Sequence, residues 1–289
     1  MKRGLITVFA ACAVFSSKAQ DLHFTQTAQT PLLINPAAAG VFDGWERVIV
    51  NHRNQWLGGG TQFMTTSVAA DANFGKGVLN DRAHLGVGLM FFNDVGGDGK
   101  FGNQTGSLTI SGILPMGGTG HILSAGLQGG FGQRSVDVNR LTFMNQWGGS
   151  GFDQNIPSGE SSSGFSYIDA SSGIYYVYDG GQNSFQRNND MKIQVGFSGY
   201  HLNAPVLKYT NGVEEERLHR KFVGHAGLVY EFPATYWALD VNALHIMQGP
   251  HRETLLGAML RYRFEDGTKI TGMSHDAFIG VGLYGRSIW

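Results

Sequence analysis

The chain has 289 residues, of which 43 are glycine and only 15% are charged. This composition is rich in glycine and poor in charge beside an average soluble domain. The formal net charge is −1, whereas nucleic-acid-binding proteins are typically basic. Cys12 is the one cysteine in the sequence, so a disulfide framework or a thiolate metal site is not expected.

The amino terminus has the pattern of an export signal. Lys2-Arg3 precedes an apolar run over Leu5–Phe15, and Ser17–Ala19 has the small-x-small form of a signal-peptidase site. The apolar run is shorter than the roughly 20 residues that a membrane-anchoring helix needs. We therefore predict a signal peptide at residues 1–19 and a mature protein that begins near Gln20.

Segments of alternating polarity, separated by glycine-rich turns, recur across the rest of the chain. In Ile193–Leu202 the odd positions are mostly apolar, whereas in Leu255–Glu265 the even positions are apolar. Successive side chains of a strand point to opposite faces, so such a segment has one apolar face. Because lipid cannot pair backbone groups, strands of this kind that span a bilayer close into a barrel.

The sequence therefore predicts an all-β fold, a transmembrane β-barrel of the outer-membrane type. We expect a pre-barrel segment at 20–44 and the barrel at 45–289. The eleven predicted strands lie near 45–54, 61–72, 83–92, 104–114, 121–133, 167–178, 191–202, 221–232, 235–247, 253–265 and 277–286.

A secreted β-sandwich array is the soluble alternative. Strand length counts against it, and so do aromatic residues near predicted strand ends, because aromatic girdles lie at membrane interfaces. These aromatic residues are Trp45, Phe91, Phe92, Tyr230, Phe232, Tyr236, Trp237, Tyr262 and Phe264.

The lengths of the predicted connections indicate an orientation. With the amino terminus in the periplasm, the short connections at 115–120, 233–235 and 266–267 lie on the periplasmic side. The two longest, Arg134–Ser166 and Asn203–Arg220, then lie outside the cell, as in other outer-membrane barrels. Single-chain bacterial barrels have even strand numbers, whereas the predicted number here is eleven. We therefore expect either that the number of strands differs from eleven or that the barrel lacks its closing carboxy-terminal strands.

Patterns that suggest catalysis have simpler structural explanations. Gly280–Gly285 matches the dinucleotide fingerprint, but a strand is expected there and no helix follows. Ser274–Asp276 are sequence neighbours, whereas the members of a catalytic triad meet through folding. His201, His225 and His245 would bind a metal only if all three faced one way. We expect no catalytic, cofactor-binding or metal-binding residues and no enzymatic activity.

An ordered series of motifs follows the predicted signal. The first part comprises Gln20-Asp21, Phe24-Thr25-Gln26, the run Asn35, Pro36, Ala37, Ala38, Ala39 and Gly40, and the run Arg53, Asn54, Gln55 and Trp56. Later elements include Gly86 and Gly88, Leu123 to Gly130, Asp169 with Gly173, Gly196-Phe197-Ser198 and His201-Leu202. The series resembles the PorP/SprF family, membrane proteins of the type IX secretion system in gliding and related bacteria. Thr25 stands where that family usually has serine.

The resemblance implies an outer-membrane barrel of about fourteen strands without catalytic activity. It further implies a role in the export or cell-surface attachment of large secreted proteins, including adhesins whose carboxy-terminal domain a barrel holds. The implied partners are outer-membrane lipid, such a secreted protein and other components of the secretion system, with no nucleic acid. The alternative is a pore or transporter for small or hydrophobic solutes. A wide pore would show opposed rows of lumen charges, whereas the inward positions expected here are mostly uncharged.

The long outer connections contain the predicted partner-binding residues. Phe143, Trp147 and Phe152 offer aromatic anchors among glycines and serines, and Glu214, Glu215 and Arg217 offer charges of both signs. The motif residues have two open explanations, maintenance of the fold and direct contact with a partner. Asn35-Pro36 suits a bent segment rather than a strand centre. Arg53 suits a charge in the lumen or at the rim, and Trp56 suits an anchor at the membrane interface.

Overall fold

A computed structural model of the chain describes residues 30–56, 61–77, 82–116, 120–159, 163–180, 191–207, 216–265 and 277–289. The predicted signal peptide at residues 1–19 lies outside these residues. The strands are β1 (Glu46–Gln55), β2 (Phe63–Phe74), β3 (His84–Gly96), β4 (Phe101–Met116), β5 (His121–Val136), β6 (Ser163–Asp179), β7 (Met191–Tyr200), β8 (Val206–Leu207), β9 (Glu216–Arg217), β10 (Lys221–Glu231), β11 (Trp237–Gln248), β12 (His251–Glu265) and β13 (Ala277–Ile288). The helical elements are α1 (Pro31–Ile34) and 3₁₀ turns at Pro36–Ala38, Val138–Arg140 and Met144–Gln146.

Eleven of these strands form one antiparallel sheet in which chain neighbours pair, and β7 pairs with β10. All eleven predicted strands are confirmed, with ends that differ by a few residues. The β8–β9 ribbon within the second long connection was not predicted. Two-residue strands are too short for an alternating pattern to reveal them.

The two faces of the sheet differ sharply in polarity. The outward face is apolar and accessible, with Leu127 and Val48 each 70% exposed, whereas Thr109 and Ser198 on the inward face are almost fully buried. The apolar positions of the two alternating segments are those expected to face lipid. Of these, Leu256, Leu260 and Val195 are exposed, and Ile193 lies on the same face as Val195 in a half-buried state. This pattern is the one that lipid on the outside of a barrel requires.

The sheet curls around residues 30–40. Three apolar clusters join this short segment to the inward face: Leu32 and Ala39 with Met90; Ala37 and Ala38 with Ile113, Ile122, Tyr175 and Val177; Ile34 with Tyr200, Val223, Leu244 and Leu255. These partners lie on β3 to β7 and β10 to β12. One segment contacts so many consecutive strands only because the sheet wraps around it as a barrel wall, and we call the enclosed space the lumen.

The edges of the sheet are β1 and β13. Within the described residues, β1 pairs with β2 and β13 pairs with β12, and no pairing joins the two edges. Because eleven is odd, antiparallel order makes β1 and β13 run in the same direction. The family expectation of about fourteen strands stays a prediction.

Alternate connections lie at opposite ends of the barrel. We call the end where β1 begins the proximal rim and the end where it finishes the distal rim. The two longest connections, 137–162 and 201–220, lie at the distal rim, as predicted. However, the tight turns at 97–100 and 249–250 lie there too, so connection length separates the rims less cleanly than the sequence suggested.

Exposed aromatic side chains mark the proximal rim on the outside of the barrel. They are Trp45, Phe74, Tyr236, Trp237 and Phe264. Trp237 packs edge-on against Tyr262, with ring centroids 4.9 Å apart. Such a belt is typical of a membrane–water interface. Phe92 is an exception among the predicted girdle residues, since it faces the lumen and is only 5% exposed.

The structure also contains short helices. Within the described residues, none is long and apolar enough to cross a bilayer.

Opposite faces of β12 provide a test of the lipid-facing surface. Leu260 is 44% exposed on the outside, and Met259 beside it points inward and is half-buried. We predict that Leu260→Arg lowers the free energy of unfolding by about 2–4 kcal/mol if the residue lies near the bilayer midplane, because lipid solvates a guanidinium poorly. Met259→Arg should cost less. Urea titration in liposomes measures both values, and equal losses would mean that the faces are misassigned.

Candidate functional site in the lumen

Residues Thr30–Gly40, which we call the plug, occupy the lumen as two consecutive tight turns. Pro31 begins α1 and Pro36 begins the following 3₁₀ turn. Proline suits the first position of a helical turn because its φ is preset and its missing N–H has no helical partner there. The plug ends at Gly40, whose φ of +75° lies in the left-handed region that favours glycine.

A row of small residues forms the part of the wall that the plug contacts. The strand register aligns one residue from each of five neighbouring strands, in the order Gly86, Ser111, Gly126, Gly173 and Ser198. A Cβ atom added at Gly86, Gly126 or Gly173 would lie under 3.0 Å from plug atoms. The wall therefore admits the plug backbone only where these strands carry glycine.

Asn35 is the polar centre of the plug and is fully buried. Its Oδ1 accepts a hydrogen bond from the Ala37 N–H at 2.9 Å, and its Nδ2 donates to the Ile174 carbonyl at 2.8 Å. Nδ2 also lies 3.1 Å from Nε2 of His225. These contacts join the plug to β6 and β10. Gly196 makes room for them, because a Cβ there would collide with both Asn35 and His225.

Wall side chains also bind the plug backbone. Tyr200 donates to the Leu32 carbonyl at 3.1 Å, Ser198 donates to the Ile34 carbonyl, and Ser111 donates to the Ala39 carbonyl at 2.6 Å. At the end of the plug, the Gly40 N–H donates to Asp71 at 2.8 Å. Buried backbone polar groups are costly when unpaired, so these bonds allow an irregular segment to lie inside the barrel.

An ion pair and an aromatic contact fix the chain where it leaves the lumen. Arg47 donates to Asp71 at 2.7 Å and to the Ala38 carbonyl, and its guanidinium lies 4.4 Å from the Phe42 ring centroid. Lys76, in the connection after β2, donates to the Phe42 carbonyl at 2.9 Å. Burial lowers the pKa of Lys76, and nearby Asp43 opposes that shift.

The second long connection folds inward over the distal end of the lumen. His201 leaves β7 with a φ of +56° and pairs with Asp169 at 3.0 Å. Leu207 of β8 and Leu218, which directly follows β9, are buried against the inward-facing Tyr167. The plug thus occupies the middle of the lumen beside β3 to β7, and Leu207 and Leu218 of this connection cover the distal end there.

Inward charges are more frequent than the sequence suggested. Ion pairs on β10 to β13 join Arg263 to Glu231, Arg261 to Asp240, and Arg286 to Glu253. The expectation of a mostly uncharged lumen is therefore wrong for these strands. Within each ion pair the two charges cancel. The alternating pattern along one strand does not reveal the oppositely charged residue on the neighbouring strand.

The predicted partner-binding aromatic residues belong to the first long connection. Trp147 and Phe152 form an isolated bridge, and their rings pack edge-on with centroids 5.0 Å apart while each remains about half exposed. Phe143 is half-buried. Sequence reasoning missed Gln146, which is buried and donates to the Ile156 carbonyl while its Oε1 accepts from the Phe143 N–H. A lone glutamine in a loop carries no signal of this role.

The remaining predicted residues are spread over the molecule. Glu214 and Glu215 lie outside the described residues, and Arg217 is exposed in β9. The run Arg53, Asn54, Gln55 and Trp56 lies at the distal end of β1, where Trp56 is 72% exposed, so it does not join Asn35, Pro36, Ala37 and Gly40 at the plug.

The three histidines considered as metal ligands do not converge. His225 faces the plug, whereas His245 lies on the outward face of β11, opposite the buried Leu244. In the described part of the chain, no group of three or more histidine, cysteine or acidic residues is placed to hold a metal ion.

The fit between plug and wall predicts an effect on ion conductance. Gly126→Val adds a side chain where plug backbone lies, so we expect the plug to be displaced and single-channel conductance in planar bilayers to rise well above that of the unmodified chain. Gly112→Val on the outward face of β4 is the matched control, because nothing lies within 4 Å of its added Cβ. A conductance that is equally low for both variants would contradict a lumen closed by this segment.

The chain is similar to a known solved structure and to a known protein family. The β-domain of the Bordetella autotransporter Brka is a similar solved structure, with a TM-score of 0.43 and 14% identity over 84% of this chain and 92% of that one. No curated protein matches the chain. The profile of the family described as type IX secretion system membrane protein PorP/SprF matches residues 16–284. The chain therefore belongs to the PorP/SprF family of type IX secretion system membrane proteins.

Proposed function

We propose that this chain is a non-enzymatic outer-membrane barrel of the type IX secretion system that assists the export or cell-surface attachment of large secreted proteins, such as gliding adhesins. Family membership supports the secretion context. The observation that carries the proposal is the plug across the lumen, in which Asn35 and the alanines after it are buried against the wall. A barrel obstructed in this way works through its surfaces.

The orientation follows from the predicted signal peptide and the two rims. The proximal rim faces the periplasm, where other components of the secretion system bind. The distal rim, with its two long connections, faces the exterior and holds the secreted protein, including an adhesin carboxy-terminal domain. Outer-membrane lipid covers the apolar outward face.

The distal aromatic pair is suited to holding a partner. Trp147 and Phe152 keep about half of their surface accessible although they are packed against each other, and Met144 beside them is 82% exposed. Gln146 fixes the loop beneath them. Rigid, accessible aromatic side chains lose little conformational entropy on binding and are common at the centres of interfaces.

A pore for small or hydrophobic solutes is the competing function. Such a pore needs a continuous path through the lumen, and the plug crosses that path while the packing of Leu207 and Leu218 on Tyr167 covers its distal end. Both features favour an interaction protein.

Loss of the aromatic anchors tests this proposal. We predict that replacing Phe143, Trp147 and Phe152 by alanine leaves barrel assembly intact, as shown by heat-modifiable gel mobility, while the secreted partner is released into the medium. Each lost anchor removes about 1–2 kcal/mol or more of binding free energy. Immunoblotting of surface and medium fractions measures the distribution of the partner.

The matched control replaces Thr142, Ser150 and Gln154 of the same connection, which are exposed and polar, by alanine. This control should keep the partner at the surface. Normal surface levels of the partner in the aromatic variant would remove this loop from the mechanism.

A further inference from the structure

A cavity of about 350 Å³ lies between the plug and the proximal rim. Ile34 and Ala38 of the plug line its inner end, and Arg47, Asp179 and Lys192, all close to strand ends, line its mouth. Small-molecule pockets in proteins typically measure about 300–1,000 Å³, with apolar walls and a few polar groups that orient the ligand. The size of this cavity falls within that range.

One part of the cavity wall is apolar, and it continues the cluster that packs against Ala37 and Ala38 of the plug. Ile113, Ile122 and Val177 project inward from β4, β5 and β6 and are each at most 6% exposed. Together with Ile34 they form a surface that favours a hydrocarbon body over water.

His225 supplies a hydrogen-bond donor at the inner end of the cavity. The oxygen of the Asn35 amide is occupied by the Ala37 N–H, so the group that faces His225 is the amide nitrogen, which only donates. Nε2 of His225 must therefore accept, and the neutral ring carries its proton on Nδ1. Within the described part of the chain, nothing accepts a hydrogen bond from that Nδ1.

Gln194 supplies a second donor close by. Tyr175, whose ring centroid lies 5.3 Å from that of His225, donates its hydroxyl proton to Oε1 of Gln194. The Nε2 hydrogens of Gln194 remain, and they too have no acceptor among the residues that the structure describes. The inner cavity thus offers two donors beside the apolar part of its wall.

The charges at the mouth are balanced. Lys192 pairs with Asp179 at 3.1 Å, and Arg47 pairs with Asp71 at 2.7 Å. Asp43, which also lines the cavity, lies close enough to Lys76 to affect its pKa. Since each cation already has a carboxylate, the cavity offers little compensation for the desolvation of an anionic ligand.

We propose that this cavity binds an uncharged amphiphile, a short acyl chain with a carbonyl head such as a fatty amide. The chain packs against Ile113, Ile122 and Val177, and the carbonyl oxygen accepts hydrogen bonds from Nδ1 of His225 and Nε2 of Gln194. The site is separate from the distal aromatic pair, so this proposal does not rest on the proposed function.

The test measures binding of octanamide and octanoate to the full chain in lipid nanodiscs by saturation-transfer NMR. Octanamide should bind about tenfold more tightly than octanoate, because burial of an unpaired carboxylate is costly. Val177→Phe adds a ring that fills the cavity and should abolish saturable binding. If this variant does not fold, Ile122→Phe serves as the cavity-filling variant in its place. Leu123→Phe on the outward face of the same sheet is the matched control and should bind octanamide normally.

A donor variant tests the assigned head-group contact. Gln194→Met keeps the length of the side chain and removes its donor together with the oxygen that accepts from Tyr175, so octanamide should bind at least about fivefold more weakly, the loss expected for one neutral hydrogen bond. If the Val177→Phe variant binds octanamide as well as the unmodified chain does, octanamide partitions into lipid and the proposal is overturned. Octanoate affinity equal to that of octanamide, or an unchanged affinity in Gln194→Met, would also overturn it.

Discussion

The close approach of the plug backbone to a row of small wall residues is the constraint on which the rest of the structure depends. Gly86, Gly126 and Gly173 allow contact that no larger residue permits, while Ser111 and Ser198 in the same row bind plug carbonyls. The row exists only in one strand register, because a slip of one residue would turn each of these positions to the lipid face. The same contact therefore links register, curvature and closure of the lumen.

This constraint gives the family motifs a physical meaning. Asn35, Pro36, Ala37 and Gly40 are buried in the plug, and the glycines that resemble the family on later strands face them across the lumen. Burial and saturated hydrogen bonding favour maintenance of the fold as the role of this group. The run Arg53 to Trp56 has a different setting at the distal end of β1, where Trp56 is exposed. The motifs thus serve two regions, the filled lumen and the rim, and the rim is available to a partner.

Local patterns predicted much of the fold. Alternation along each strand identified eleven strands and placed Leu256 and Leu260 outside, because the side-chain period of a strand is visible in sequence. The site was harder to predict, since Asn35 bonds residues 139 and 190 positions away. A motif with prolines indicates a bend but not its location. Similarly, Phe92 was placed with the interface aromatics although it faces the lumen, because the pattern of one strand end does not show which aromatic belongs to which face.

The most direct test of the account asks whether the plug lies against the inner wall in the membrane. Ala38 and Ile122 belong to the same buried cluster inside the barrel, whereas Leu123 beside Ile122 points outward and is 44% exposed. In outer membranes treated with a short thiol cross-linker, Ala38→Cys combined with Ile122→Cys should cross-link in high yield, and Ala38→Cys combined with Leu123→Cys should not. Equal yields for the two pairs, or none for the first, would contradict a lumen filled by residues 30–40.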